Sequence, residues 1–409
     1  MEKLFLKPSD FESFSGEIRL ERSKSIANRA LLLQALSFFS FEIDDIGNSD
    51  DVLIMKEALI SKDSIINVGM AGTALRFLTA GFCLLPGKRI VDGHPRLKER
   101  PISPLIDALQ ILGAKISFPK EKNKLPILIE GGLIDANEVA IKQSISSQFL
   151  SALMMIGPFL PDGLRIKRES KRISEPYIQL TKHVMEEMGF IIEMGENEIF
   201  LPRMSPSIKS YTVEGDWSAA AYWMAFVTLV PEAKVTLKGL KENSVQGDKK
   251  MLSILERFGL NHHWENENLE LNYNSETKIP DQFNYDCSEI PDQAQTLAFL
   301  CAALGVKTTL TGLETLYFKE TNRVEALEKE IKKLGLNVEI GEGYLSFSGG
   351  IKVDKVKLNT YDDHRMAMAG ALIGTRLEVE IEDSRVVNKS YPSFWLDLRK
   401  ITNASAAEK

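Results

Sequence analysis

Short apolar strands that alternate with amphipathic helices along all 409 residues predict an α/β protein. Three observations carry that expectation. Apolar residues recur at helical spacing in segments 28–39, 72–84, 101–112, 147–156, 176–188, 216–227, 248–258, 292–304, 320–334 and 363–374. Runs of β-branched and apolar residues, such as 127–130, 234–237 and 308–310, lie between them. A strand, a turn rich in Gly, Ser, Asp or Thr, and the first turn of a helix recur at 23–28, 69–73, 144–147, 215–218, 291–292 and 362–364. Such recurrence without residue-level identity indicates a repeated supersecondary unit. The length suits two domains, each burying its own core.

The junctions matter because a helix N-terminus presents free N–H groups and a partial positive charge to an anion. Most of them also carry cationic or hydroxyl side chains. Several such starts converging on one place would trap anions.

Composition narrows the class. Apolar content of 44% with 26% charged residues fits a globular, water-soluble chain, with disorder expected only in the tail 403–409. Residues 1–8 contain no signal-length apolar core and 150–160 is too short to cross a bilayer, so a cytoplasmic location without membrane association is expected. Cys83, Cys287 and Cys301 have no CxxC spacing and are expected as buried thiols in a reducing compartment. His262-His263 and the remaining histidines lack the spacing of a metal cage, so no metal or other cofactor is implied. A net charge of -7 argues against a nucleic-acid binder, and any anion must be held by a local cluster.

Candidates for that cluster follow in chain order. Ser23-Lys24-Ser25-Ile26-Ala27-Asn28-Arg29 packs cations and hydroxyls before an apolar helix, as an anion site or a capped helix start would. Gly69-Met70-Ala71-Gly72-Thr73 lets a backbone approach a ligand closely, with Thr73 near an N-cap. Arg96, Lys98 and Arg100 crowd together before a helix whose first position suits Pro101. Like charges that close need an anion or carboxylate to offset them. Ser146-Ser147-Gln148 and Ser174-Glu175-Pro176-Tyr177 open helices with groups able either to cap or to bind phosphate. Lys319 and Arg323, four apart, are expected to share one face of a helix start. Arg365 opens an apolar helix, Lys389 lies near the C-terminus, and Asp292 is a carboxylate expected at an N-cap, where capping alone would also explain it.

Taken in order, SKSxxNRALLL, AGTALRFLTA, PRLKERPI, SSQFLSAL, SEPYIQLT, VEGDWSAAAYW, VQGD, IPDQAQTLA, KETNRVEAL, DHRMAMAGAL and KSYPSF resemble the 5-enolpyruvylshikimate-3-phosphate synthase family from about Leu20 to Pro392. The resemblance implies a two-lobed inside-out α/β barrel, each lobe three βαβαββ repeats, with the active site in the interlobe cleft. It implies one discontinuous lobe, 1–20 and 216–409, and one continuous lobe, 21–215, with crossings near Glu21 and Asp216. It implies a monomer that moves the enolpyruvyl group of phosphoenolpyruvate to the 5-hydroxyl of shikimate 3-phosphate, in aromatic amino-acid biosynthesis.

By the same resemblance, shikimate 3-phosphate is held by Lys24, Ser25, Arg29, Ser146, Ser147, Gln148, Ser174, Tyr177, Asp292 and Lys319. Phosphoenolpyruvate sits among Lys24, Gly72, Arg100, Gln148, Arg323, Arg365 and Lys389. Asp292, Glu320, Lys389 and Lys24 are the implied catalytic residues, with Asp292 as base toward the hydroxyl. Glyphosate, which competes with phosphoenolpyruvate in this family, would lie close to Gly72. The chain departs from the family pattern at Glu21, Arg22, Ala27, Met70, Thr315 and Asn322. A UDP-N-acetylglucosamine enolpyruvyl transferase and a catalytically silent binding paralogue are the alternatives. The segment before Arg96 lacks the cysteine common in the former, and every clamp cation is retained against the latter.

Overall fold

A computed structural model describes residues 2–132, 134–141, 146–169 and 174–402. Ser144 of the third expected junction and the tail 403–409 lie outside the described residues. The chain forms two compact units, Met1–Arg22 with Glu214–Lys409, and Ser23–Val213.

One strand pattern generates most of both units. In the unit Ser23–Val213, Ile65–Asn67 runs parallel to Gly87–Asp92, which pairs antiparallel with Ile127–Gly131, and that with Lys115–Ser117. The spatial order is therefore first, second, fourth, third. Glu138–Ile141, Leu164–Arg168, Glu193–Met194 and Glu198–Leu201 repeat it. So, in the other unit, do Gln282–Asp286, Lys307–Thr311, Asn337–Gly341 and Tyr344–Ser348. A fourth copy takes its first strand, Ser15–Arg19, from the N-terminal segment and adds Lys234–Lys238, Leu260–Glu265 and Asn268–Tyr273.

The expected repeat is abbreviated in the two remaining sheets among the described residues. Lys355–Leu358, Glu378–Ile381 and Leu4–Leu6 make a sheet of three strands, and Glu42–Ile43 with Ser210–Tyr211 a sheet of two.

Each parallel pair is served by one helix that leads into its second strand: Lys24–Leu36, Gly72–Leu84, Ser147–Ile156, Trp217–Leu229, Ala294–Leu304 and His364–Gly370. These helices are apolar almost all round, which suits an element packed on every side rather than a surface helix. Every residue of Trp217–Leu229 except Ser218 is buried, and every residue of Ser147–Ile156 except Gln148. The strands instead alternate, as in Lys307–Thr311, where Thr308 and Leu310 are buried and Lys307 and Thr311 exposed. Within each unit the helices thus lie inside and the sheets outside. The first-turn side chains Lys24, Ser25, Thr73, Gln148 and Ser218 are left partly open.

Several boundaries differ from the periodic reading. The helix expected at 28–39 starts at Lys24 and stops at Leu36, after which Phe38 and Phe39 take positive φ of 53° and 56°. Segment 248–258 divides into a 3-10 turn, Gly247–Lys250, and a helix, Met251–Glu256. Segment 363–374 ends its α-helix at Gly370 and tightens into a 3-10 turn, Ala371–Thr375. Pro101 is not at a first helical position. The helix is Ser103–Ile111 with Pro104 in its first turn, and Arg100 before Pro101 is extended, as the proline ring requires. Helices Asp50–Ile60 and Phe394–Ile401 were not expected.

The last of these docks through aromatic rings. Trp223 lies 5.5 Å from Phe394 and 6.0 Å from Phe226 between ring centroids, and its indole N–H donates to Tyr391 at 3.3 Å. The Tyr391 hydroxyl in turn donates to Asp397 at 2.9 Å. Trp223→Ala should therefore lower unfolding free energy by about 3–5 kcal/mol in urea titration, the scale for emptying a buried Trp site. A loss below about 1 kcal/mol would mean that Trp217–Leu229 is not the centre of its unit.

Candidate active site

In the discontinuous unit the starts of five helices and turns are tied together by charge. Arg323, 1% exposed, opens helix Arg323–Lys333 and donates in three directions. Its Nε meets Asp363 at 2.7 Å, Nη1 meets Asp292 at 2.7 Å, and Nη2 meets Glu320 at 3.0 Å. Asp363 is fully buried and also caps the next helix by accepting the Arg365 backbone N–H at 2.9 Å. A buried guanidinium needs this much compensation, because an unpaired charge at such depth costs several kcal/mol.

Around that core stand three further cations. Lys319 reaches the same Asp292 oxygen at 3.1 Å, and Lys389 holds the other oxygen of Glu320 at 3.1 Å. Arg365 donates to the Asp292 carbonyl at 3.0 Å and to the Ser218 hydroxyl at 3.3 Å. Ser218 donates to Asp248, which also accepts from Gln293 at 2.9 Å. Burial pushes the Asp248 carboxyl above its ordinary value, against the opposing pull of Arg365. Four cations thus face carboxylates that hold them in place, an arrangement able to take an incoming anion without first rearranging.

The continuous unit builds a second cluster on the same plan. Lys24, in the first turn of Lys24–Leu36, pairs at 3.0 Å with Asp51, in the first turn of Asp50–Ile60. Arg29 is 2% exposed, and every nitrogen of its guanidinium donates inward. It bonds Thr181 at 2.8 Å, the Ser25 carbonyl at 2.7 Å, the Tyr177 carbonyl at 3.2 Å and Ser151 at 3.4 Å. Burial lowers its pKa to about 10. Ser146 caps helix Ser147–Ile156 by accepting the Gln148 N–H at 3.2 Å, and the Gln148 amide donates to Thr73 at 3.0 Å. Arg76 ties the Gly72 carbonyl, at 2.8 Å, to that of Pro101, at 2.6 Å. A Cβ on Gly72 would stand 2.5 Å from Nη1 of Arg100, so the bare glycine is what lets this guanidinium lie against the helix start. Ser174 takes φ of 53° and caps nothing with its side chain, while Glu175 beside it is bound by the buried Arg168.

Two local expectations need correction. Lys319 and Arg323 do not share a helix face, since Lys319 is extended and the helix begins at Arg323; they meet because both reach one oxygen of Asp292. Asp292 is not an N-cap. It sits inside the 3-10 turn Pro291–Gln293, Gln293 takes the cap position of the following helix, and the carboxylate is drawn to cations instead. Thr73 stands near the N-cap as expected, following Gly72 in the first turn of the helix that Ala71 caps. Sequence reasoning passed over Asp51, Asp248 and Asp363. Each stands at a helix start, where an acidic residue reads as an ordinary cap.

Cys83, Cys287 and Cys301 are buried free thiols, and burial raises Cys83 and Cys301 to about 12. Among the described residues no helix is long and apolar enough to cross a membrane.

Comparison with known proteins identifies the family. Residues 57–398 match the family model of EPSP synthase (3-phosphoshikimate 1-carboxyvinyltransferase). A Bacteroides fragilis protein named 3-phosphoshikimate 1-carboxyvinyltransferase is 37% identical over 98% of both chains. An Escherichia coli O139:H28 protein of that name is 35% identical over 99% of this chain and all of its own. The solved EPSP synthase of Acinetobacter baumannii superposes with a TM-score of 0.74 over 99% of this chain and 98% of its own, at 18% identity, which establishes a shared fold.

The ionisation of Lys319 makes a testable signature. Burial lowers its pKa from 10.5, Arg323 lowers it further, and Asp292 and Glu320 oppose the shift. Below the folded-state pKa both folded and unfolded chains carry the proton, and the penalty for burying it is fully present. Between the folded value and 10.5 the unfolded chain binds more protons, so stability contributed by this group rises with pH. Urea unfolding across the alkaline range should show wild type gaining stability relative to Lys319→Met. Parallel curves for the two proteins would exclude a depressed Lys319.

Proposed function

The chain belongs to the EPSP synthase (3-phosphoshikimate 1-carboxyvinyltransferase) family, and from that premise we propose how the two clusters divide its reaction. The enzyme moves the enolpyruvyl group of phosphoenolpyruvate to the 5-hydroxyl of shikimate 3-phosphate and releases phosphate, a step of aromatic amino-acid biosynthesis. Two multiply charged anions must come within bonding distance, and a like-charge pair at ~4 Å costs on the order of 4 kcal/mol at an intermediate dielectric. Dense cationic clusters at helix starts offset that cost.

Shikimate 3-phosphate is assigned to Lys24, Ser25, Ser146, Ser147, Gln148, Ser174, Tyr177, Asp292 and Lys319. Arg29 serves that group from beneath, because its donors hold the Ser25 and Tyr177 backbones. Phosphoenolpyruvate is assigned to Lys24, Gly72, Arg100, Gln148, Arg323, Arg365 and Lys389. The observation that carries the chemistry is that Asp292 and Glu320 are both pinned on Arg323, with Lys389 on Glu320. Asp292 takes the proton of the attacking hydroxyl as the carbon–oxygen bond forms. The Glu320–Lys389 pair delivers one to the methylene carbon, which becomes a methyl. The methyl then returns a proton to the pair as its carbon–oxygen bond to phosphate breaks and the double bond re-forms, and the departing phosphate takes the proton held by Asp292. Lys24 offsets charge on the transferring group. A monomer working in the cytoplasm fits this reading.

Phosphate release should occur with shikimate 3-phosphate and not with UDP-N-acetylglucosamine; the reverse preference would overturn the substrate assignment. Asp292→Asn keeps an acceptor for Arg323 yet cannot take a proton, and should lower kcat by about two orders of magnitude or more while leaving shikimate 3-phosphate affinity within severalfold. Near-normal kcat in this variant would remove Asp292 from proton transfer.

Gly72→Ala offers an independent check. The methyl would press on the Arg100 guanidinium, 2.5 Å from Nη1, and that flexible end must move. Overpacking by one methyl costs about 1–3 kcal/mol, or roughly tenfold in affinity. Glyphosate should inhibit wild type competitively with phosphoenolpyruvate, and the substitution should weaken glyphosate by about tenfold and phosphoenolpyruvate by less. Initial rates at crossed concentrations decide it, and a wild type indifferent to millimolar glyphosate would refute the expectation.

A further inference from the structure

Helix Arg323–Lys333 carries a second buried charge that the reaction does not use. Glu330 is fully buried and lies seven residues after Arg323. Seven residues are almost two full turns, so both side chains leave the same face of the helix to within about 20°. Glu330 Oε2 accepts from Lys333 Nζ at 2.6 Å and from the Asn359 backbone N–H at 3.1 Å, and Oε1 accepts from the Tyr361 hydroxyl at 2.5 Å. Lys333 also donates to the Lys357 carbonyl at 3.1 Å. Apart from the pair with Lys333 on the same helix, these contacts fall on the end of strand Lys355–Leu358 and the turn that follows it.

That turn is strained. Tyr361 and Asp362 are consecutive non-glycine residues at φ of 55° and 54°. Each such residue costs of order 1 kcal/mol or more, and persists only where its surroundings over-determine it. Immediately beyond stand Asp363, bound to Arg323, and Arg365, which meets Asp292 and Ser218. The same helix face therefore grips the turn at both ends, through Arg323 on Asp363 and through Glu330 on Tyr361 and Asn359.

We propose that Glu330 is a positioning residue which, through the Tyr361 hydroxyl, holds the left-handed turn and so sets where Arg365 points. A helix packed against the turn by apolar contacts alone would leave those dihedral angles free to relax toward φ below zero, and the peptide entering helix His364–Gly370 would rotate with them. The buried carboxylate prevents this by fixing the backbone at Asn359 and the side chain at Tyr361. For function the inference rests on the assignment of Arg365 to phosphoenolpyruvate.

Tyr361→Phe removes only the hydroxyl and leaves Glu330 with Lys333 and Asn359, so the variant is expected to fold. A hydrogen bond to a charged group is worth about tenfold or more, and the KM for phosphoenolpyruvate should rise by about that factor, with the KM for shikimate 3-phosphate within twofold. Hydrogen exchange at the Arg365 amide, which donates to Asp363, should quicken. Adding Asp362→Gly should restore part of both losses, because glycine adopts φ above zero without steric cost. An unchanged phosphoenolpyruvate KM in Tyr361→Phe, with or without a fall in melting temperature, overturns the proposal. Should the wild type prove inactive on these substrates, the substrate reading fails separately, and exchange at Arg365 alone decides: an unaltered rate in Tyr361→Phe overturns the positioning role.

Discussion

The discontinuous unit depends on one buried guanidinium. Arg323 is 1% exposed and binds carboxylates from three separate chain segments, Asp292, Glu320 and Asp363. Those segments are helix starts or the turns before them, where backbone N–H groups point outward and partial positive charges accumulate. Bringing several such starts together is unfavourable unless anionic side chains intervene. Asp363 meets the need twice, by capping its own helix and by pairing with Arg323.

The continuous unit solves the same problem with different residues. Arg29 is its buried cation, yet it bonds hydroxyls and carbonyls rather than carboxylates, and desolvation shows in its lowered pKa. Arg76 likewise ties together two backbone carbonyls and lies 5.6 Å from the Phe149 ring. The two clusters differ accordingly in what they can do. One holds carboxylates beside lysines, and the other holds its buried guanidiniums on hydroxyls and backbone carbonyls. Both are assembled from the first turns of helices whose remaining length is core, so packing of the apolar faces dictates where the polar starts point.

Much of the candidate site was legible because its residues cluster at helix starts in short polar motifs between apolar runs. Lys24, Gln148, Lys319, Arg323 and Arg365 were all singled out this way. Geometry within a motif was less legible. Lys319 and Arg323 suggested one helix face, whereas the extended Lys319 reaches Asp292 from outside the helix. Glu330 could not be recognised at all. In sequence it is one acid among the alternating charges of Glu325 to Lys333, a pattern that reads as a solvated helix, and only the docking of a distant turn on that face buries it.

What the sequence determined by itself was the α/β class, the strand-turn-helix rhythm and the chemical type of each junction, since these follow from periods of 2 and 3.6 and from local backbone preferences. Tertiary structure alone decided which strand serves which helix. Strand Ser15–Arg19 is followed in the chain by helix Lys24–Leu36, but pairs in parallel with Lys234–Lys238, the strand that helix Trp217–Leu229 leads into. Strand Ser210–Tyr211 is followed by helix Trp217–Leu229, but pairs with Glu42–Ile43, which helix Lys24–Leu36 leads into. The two junctions exchange helices between units. Local periodicity cannot register that exchange, because each strand, turn and helix is unchanged by it; only the pairing of strands some two hundred residues apart distinguishes the alternatives.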